Sequence, residues 1–176
     1  ALIHRNSGQL TEAFSEFTRV LNLNRQLGDQ KREGIALACI ANVLDELGDH
    51  QGSLHHYEQA LSIARDVGNK RDEGITLGLM GIIFMTLNDL DEAQSCLRDA
   101  IELCELRTPH FAGYFMGVYA VLWAERGECT RALELIQKGE ALVCDTPIKY
   151  IDFLCDKSKV LSLAQDIESA LRTLAL

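Results

Sequence analysis

Apolar residues along this chain fall at helical spacing, and the spacing restarts at regular intervals. Leu37, Ile40, Ala41, Leu44 and Leu47 recur with a 3.6-residue period and predict one helix with a single apolar stripe; Leu54, Tyr57, Leu61 and Ala64 predict a second. The same pair of stripes returns at Leu77, Met80, Gly81, Phe84 and Leu87, then at Leu90, Ala93, Leu97, Ala100 and Cys104. A further first-helix stripe is formed by Met116, Tyr119, Ala120 and Trp123. No strand pattern interrupts them.

The recurrence is also literal. REGIAL at 32–37 returns as DEGITL at 72–77, and residues 33–72 align with 73–112 without a gap. Leu37 falls over Leu77, Leu44 over Phe84, Asp49 over Asp89 and Ala60 over Ala100. Gly8, Gly48, Asn88, Gly127 and Gln165 share one column, each followed by a polar residue. Glycine, or an asparagine tolerant of positive φ, ends a helix in the left-handed conformation, and an acidic residue just beyond caps the next helix. Five residues on stands Ala13, Ser53, Ala93, Ala132 or Ala170, small enough for two helices to approach closely; four further comes Phe17, Tyr57, Leu97, Ile136 or Leu174 to fill the space beside the contact. Each unit is thus expected to be an antiparallel helix pair about forty residues long. The units are 1–32 (truncated), 33–72, 73–112, 113–150 and 151–176 (truncated), and a fixed period of this length indicates an all-α solenoid.

These columns resemble the tetratricopeptide repeat, with its small residue midway along the first helix, its glycine turn and its alanine early in the second helix. The period is longer than that family's usual one of about 34. It is similar to the long-repeat subgroup found in G-protein-signalling adaptors, kinesin light chains and bacterial signalling proteins. The resemblance implies a right-handed superhelix that binds a protein or peptide on its concave face, through the first helix of each unit. Asn88 and Gln165 at the glycine column and Ser53 at the alanine column depart from the pattern.

Composition narrows the function. Acidic residues outnumber basic ones 26 to 17, for a net charge of −9, and no cluster of Lys and Arg offers a nucleic-acid surface. No apolar run approaches the length of a membrane span. Residues 1–10 lack the features of a secretory signal, so a cytoplasmic location is expected. Cys39, Cys96, Cys104, Cys129, Cys144 and Cys155 form no CxxC pair and are expected to be reduced, mostly buried, small apolar residues. His55 and His56 are adjacent on a helix, point about 100° apart, and make a poor metal pair. No phosphate-binding glycine loop, nucleophile elbow or HExxH motif occurs, so neither cofactor, metal nor enzymatic activity is expected.

The candidate binding face is therefore the second stripe of the first helices. Its columns are Ile35, Ile75 and Tyr114; Ala38, Gly78 and Gly117; Cys39, Leu79 and Val118; and Asn42, Ile82 and Val121, with Met85 beyond. Chaperone-tail-binding relatives of the resembling family hold a carboxylate with Lys, Asn and Arg on these columns. Here Ala38, Gly78 and Gly117 stand where cations are needed and Asn42 alone matches, which argues against that clamp. The expected ligand is an apolar segment whose basic flanks meet Asp45, Glu46 and Glu125. Gly78, Gly81 and Gly117 are expected to let a partner's backbone approach. The alternative is that this stripe is core, filled by neighbouring helices. Ala1 falls midway along a helix and LSLAQDIESALRTLAL ends apolar, so a window cut from a longer array is expected. Two other functions remain open: a regulatory or sensor module of a larger signalling protein (kinase, cyclase or ATPase), and self-association into a homodimer through uncapped ends.

Overall fold

The computed structural model describes the backbone of residues 2–143 and 147–174, and the side chains of 8–143 and 149–165. Among these, eight helices follow one another: α1 (Leu2–Leu27), α2 (Gln30–Glu46), α3 (His50–Asp66), α4 (Lys70–Thr86), α5 (Leu90–Glu105), α6 (Pro109–Glu125), α7 (Cys129–Val143) and α8 (Pro147–Leu174). Each packs against its neighbour in sequence, giving a right-handed α-solenoid. In the three complete pairs, α2, α4 and α6 are the first helices and α3, α5 and α7 the second.

The turns are built alike. Gly28, Gly48, Gly68, Asn88 and Gly127 take positive φ, between 61° and 84°. At the α2–α3 turn the Gly48 N–H donates to the Asp45 carbonyl at 2.9 Å, and the Asp49 N–H reaches back to the Leu44 carbonyl at 2.9 Å. This closes the helix in a Schellman motif. The Asp49 carboxylate then accepts from the Gly52 N–H at 2.9 Å, so one residue ends α2 and caps α3. Asp29 and Asn69 cap α2 and α4 in the same way. The turns between units at Gly28 and Gly68 thus copy the turns within units, and the punctuation recurs about every twenty residues, twice as often as the predicted column. The α5–α6 turn differs: Thr108 is its N-cap and Pro109, with its preset φ, opens the helix.

Two predicted turns are absent. Gly8 lies inside α1 and Gln165 inside α8. One interior glycine costs a helix only about 1 kcal/mol, so α1 runs through Gly8. Gln165 carries the Cβ that disfavours the left-handed turn. Leu47 and Leu87, predicted on the packing stripe, are exposed helix C-caps. The thiols are mixed: Cys96 and Cys104 are buried, Cys39 and Cys129 half-buried and Cys155 exposed, while Cys144 lies outside the described residues.

The repeated EGI now has a physical content. Glu33 in the first turn of α2 accepts from Arg25 at the end of α1 at 2.8 Å; forty residues on, Glu73 accepts from Arg65 at 3.1 Å. Each glutamate pins its helix to the preceding unit. The following glycine lies under its own partner helix: a Cβ built on Gly34 would stand 3.2 Å from the Ile63 side chain, and one on Gly74 2.8 Å from the Cys104 sulfur. The isoleucine faces the inner surface.

Candidate functional site

The first helices line the inner face, and one column sets its shape. The Phe115 ring of α6 packs on Gly78 of α4, where an added Cβ would fall 2.2 Å from the ring. One unit later the Phe153 ring of α8 packs on Gly117 of α6, where a Cβ would fall 2.7 Å from it. Both phenylalanines are fully buried. Gly78 and Gly117 therefore receive aromatic rings of the chain's own next helix, and Gly81 receives Leu97. None of the three is left free for a partner's backbone, because the close approach it permits is already used inside the fold.

The ladder stops one unit earlier. Thr76 of α4 occupies the place held by Phe115 and Phe153, and Ala38 of α2 occupies the place of the two glycines. A small side chain facing another small one leaves a depression of about 240 Å³ lined by Ile35, Ala38, Cys39, Ile63, Ile75 and Thr76, with Lys31 and Arg71 among its bordering residues. Burial in this wall pushes the Cys39 thiol above its ordinary range.

The larger concavity lies between α4, α6 and α8. It encloses about 490 Å³ and is lined by Ile82, Met85 and Thr86 of α4, Tyr114, Val118, Val121 and Glu125 of α6, and Asp152, Cys155, Asp156 and Lys159 of α8. Its floor is apolar and its third wall acidic. Burial first, and then the carboxylates of Asp152, Asp156 and Asp45, push the Tyr114 hydroxyl up to about 12. Burial also raises Asp156, against the opposing pull of Lys159, whose ammonium stands 3.7 Å away. At the other edge Lys149 lies over Phe111 at 3.9 Å and Tyr114 at 4.5 Å. Burial lowers Lys149, and burial together with Lys149 and Arg71 lowers His110.

The predicted site residues divide accordingly. Ile82, Met85, Tyr114, Val118 and Val121 meet in the α4–α6–α8 concavity; Ile35, Ala38, Cys39 and Ile75 meet in the α2–α4 depression. Leu79 is half-buried against the core. Asn42 is exposed and accepts from the Tyr57 hydroxyl. Gly78 and Gly117 are buried, and Val118 and Val121 are 9% and 6% exposed, so the inner stripe is partly core. The predicted acidic edge is changed too: Asp45 is engaged by His50 at 2.8 Å, and α8 supplies a new acidic wall. Asp152, Cys155, Asp156 and Lys159 were missed, yet the signal was present. They continue the columns of Tyr114, Gly117, Val118 and Val121 by one more unit of thirty-eight residues. No group of three or more His, Cys, Asp or Glu is placed to hold a metal among the described residues, and no described helix is long and apolar enough to cross a membrane.

A family model described as Tetratricopeptide repeat matches residues 1–66 and 32–105. Among curated proteins, none matches the sequence. Solved structures share the fold at low identity. A single-substitution form of a Podosopora anserina protein, described as a kinesin light chain with nearly identical TPR-like repeats, is 14% identical; the match has a TM-score of 0.70 and covers 99% of this chain and 88% of that one. BtubC (BKLC) of P. vanneervenii is also 14% identical, with a TM-score of 0.60 over 98% and 93% of the two chains. MamA is 12% identical, with a TM-score of 0.52 over 92% of each.

Proposed function

The chain belongs to the tetratricopeptide-repeat family, and from that premise we propose that it is a non-catalytic, cytoplasmic protein-interaction scaffold whose α4–α6–α8 concavity takes an apolar segment flanked by basic residues. One observation carries the reading: an apolar floor of Ile82, Met85, Tyr114 and Val118 faces a wall containing Asp152, Asp156 and Glu125, with Lys159 as the cation among its lining residues. Burying one or two aliphatic side chains on that floor supplies about 1.5–3 kcal/mol each. The carboxylates add selection and orientation more than affinity, since charges at a groove rim mainly steer encounter and exclude like-charged partners. The α2–α4 depression, bordered by Lys31 and Arg71, extends the same inner face and takes a further apolar side chain of the ligand.

The test is selection from a random peptide library displayed on phage, followed by affinity measurement of the enriched peptides by fluorescence polarisation. The expected winners pair apolar residues with Lys or Arg. Ile82 is half-buried, so Ile82→Asp should keep the helical fold by circular dichroism and weaken those peptides at least tenfold. Enrichment of acidic peptides, or undiminished binding to folded Ile82→Asp, would overturn the assignment of this concavity.

A further inference from the structure

The α2–α4 depression differs from the larger concavity in its walls and in the sign of its rim. Besides Ala38 of α2 and Ile75 of α4, it is lined by Ala60, Ile63 and Ala64 of α3, so it is a cleft among three helices rather than a flat stretch of inner face. Its volume of about 240 Å³ is room for roughly eight water-sized groups at about 30 Å³ each. The charged residues that line it are Lys31, Arg71 and Asp72, all in the first turns of α2 and α4, so the cleft is apolar along its body and charged where the two helices begin.

Lys31 and Arg71 are the second residues of α2 and α4, one column at a spacing of forty residues, and both are exposed. Among the described residues Lys31 has no ion-pair partner. Arg71 pairs with the Asp72 carboxylate at 3.7 Å, and that carboxylate is itself held in the α4 cap, where it accepts from the Asn69 side chain at 2.6 Å. The rim thus holds two cations and one carboxylate, a surplus of one positive charge on a chain whose net charge is −9. Both cations stand at the positive ends of helix dipoles, where an anion is favoured and a cation is not. An apolar cleft ending in one surplus positive charge fits an apolar body with one negative charge, whereas a dianion would meet Asp72. The column of Lys31 and Arg71 continues as His110 in the first turn of α6, but there the Phe115 ring fills the space on Gly78 and leaves no such cleft.

We propose that the α2–α4 depression is a small-molecule site for an amphipathic monocarboxylate, with its apolar tail among Ala38, Ile63 and Ile75 and its carboxylate at Lys31 and Arg71. The tail supplies most of the affinity, because burying apolar area outweighs ion pairs at an exposed rim. The carboxylate selects the ligand and sets its direction. The site is separate from the α4–α6–α8 concavity, and the failure of either assignment leaves the other standing. Where the segment held in that concavity also reaches the depression, the carboxylate takes the place of its side chain; this consequence alone rests on the function proposed above.

Isothermal titration calorimetry with octanoate, octanol and octylamine tests the site, since the three share one tail and differ in charge. Octanoate should bind at one site per chain, more weakly as salt is added, and about tenfold more tightly than octanol or octylamine. Lys31→Gln and Arg71→Gln, both at exposed positions, should each weaken octanoate about threefold to fivefold. Thr76→Phe/Ala38→Gly sets a ring on a glycine, as at Phe115 and Gly78; it should keep the helical signal by circular dichroism and lose octanoate binding. Ile82→Asp, in the other concavity, should bind octanoate as the wild type does. A wild type that takes no octanoate at millimolar concentration would overturn the proposal, as would equal affinity for octanol. Octanoate binding that survives in the folded Thr76→Phe/Ala38→Gly variant, or is lost in folded Ile82→Asp, would overturn it by putting the ligand elsewhere.

Discussion

The junction between α2 and α4 and the junction between α6 and α8 occupy equivalent places in the array, yet only the second is closed. At α6–α8, Phe153 fills the space above Gly117, and at α4–α6, Phe115 fills the space above Gly78. At α2–α4, Thr76 and Ala38 leave a depression. Three helices of the same register thus differ through a single pair of columns. Ring on glycine draws α6 and α8 into the inner face, buries Val118 and Val121, and brings Asp152 and Asp156 over Tyr114. Two small residues leave Ile35 exposed and Ile75 half-buried. The curvature of the repeat comes from the fold, but the chemistry of its inner face follows from whether one aromatic ring is present.

The severest way to break the comparison is to remove a ring. Phe115→Ala deletes a fully buried aromatic residue from the centre of the larger core and should cost about 3–5 kcal/mol in urea unfolding. The loss should be close to the full range, because Gly78 on the facing helix has no side chain with which to collapse into the void. A cost near 1 kcal/mol, about what an interior glycine alone costs a helix, would mean that α4 and α6 close without the ring and that the column does not set the junction.

The comparison sharpens if the open junction can be closed by transplant. Thr76→Phe alone sets a ring against the Ala38 methyl, and overpacking of this kind costs about 1–3 kcal/mol. Ala38→Gly alone loses about 1 kcal/mol of helix propensity. Together they rebuild the pair seen at Phe115 and Gly78, and the buried ring should return about 1.5–3 kcal/mol. The double variant should therefore be more stable than the sum of the singles predicts, by about 2 kcal/mol in a double-mutant cycle. Additive singles would show that the depression is held open by something other than these two side chains.

Much of this architecture is legible in the sequence because punctuation and packing are local. Gly48, Asn88 and Gly127 turn where the column places them, and Leu37, Leu77 and Met116 bury where the 3.6-residue period points. The ends depart from the pattern for a physical reason. α1 runs through Gly8 at the modest cost of one interior glycine, and Gln165, inside α8, carries the Cβ that disfavours a left-handed turn. The inner face is legible in its columns but not in its state. Periodicity gives Gly78 a direction and cannot say whether its space is taken by a ligand or by Phe115, since the ring comes from thirty-seven residues away. Asp152 and Asp156 are readable in principle, because the inner columns extend through α8 as well as through α2, α4 and α6.

The smallest expected effect concerns the repeated glutamate, which also separates the two halves. Glu33 and Glu73 hold equivalent places, but the Glu73 side chain is 9% exposed against 20% for Glu33, and Glu73 accepts from both Arg65 and Lys70. Burial raises the Glu73 carboxyl, the hydrogen bonds from Lys70 and Arg65 lower it, and the net position is below its ordinary value near 4.5. A carboxylate lowered on folding contributes stability that is fully present above its unfolded pKa and is lost as pH falls through the folded one. Glu73→Gln should therefore cost about 1 kcal/mol at pH 7, at the lower end for charged hydrogen bonds because both cations are about half exposed. The difference between wild type and variant should begin to shrink as pH drops below about 4.5, where the unfolded carboxyl takes up its proton, and should be gone once pH has fallen through the lower value of folded Glu73. Glu33→Gln should cost less, having one partner and more water. Unfolding curves for both variants from pH 7 downward through the acid range decide it: if the Glu73 gap does not narrow at all as pH falls, side-chain packing rather than charge holds α4 to the preceding unit.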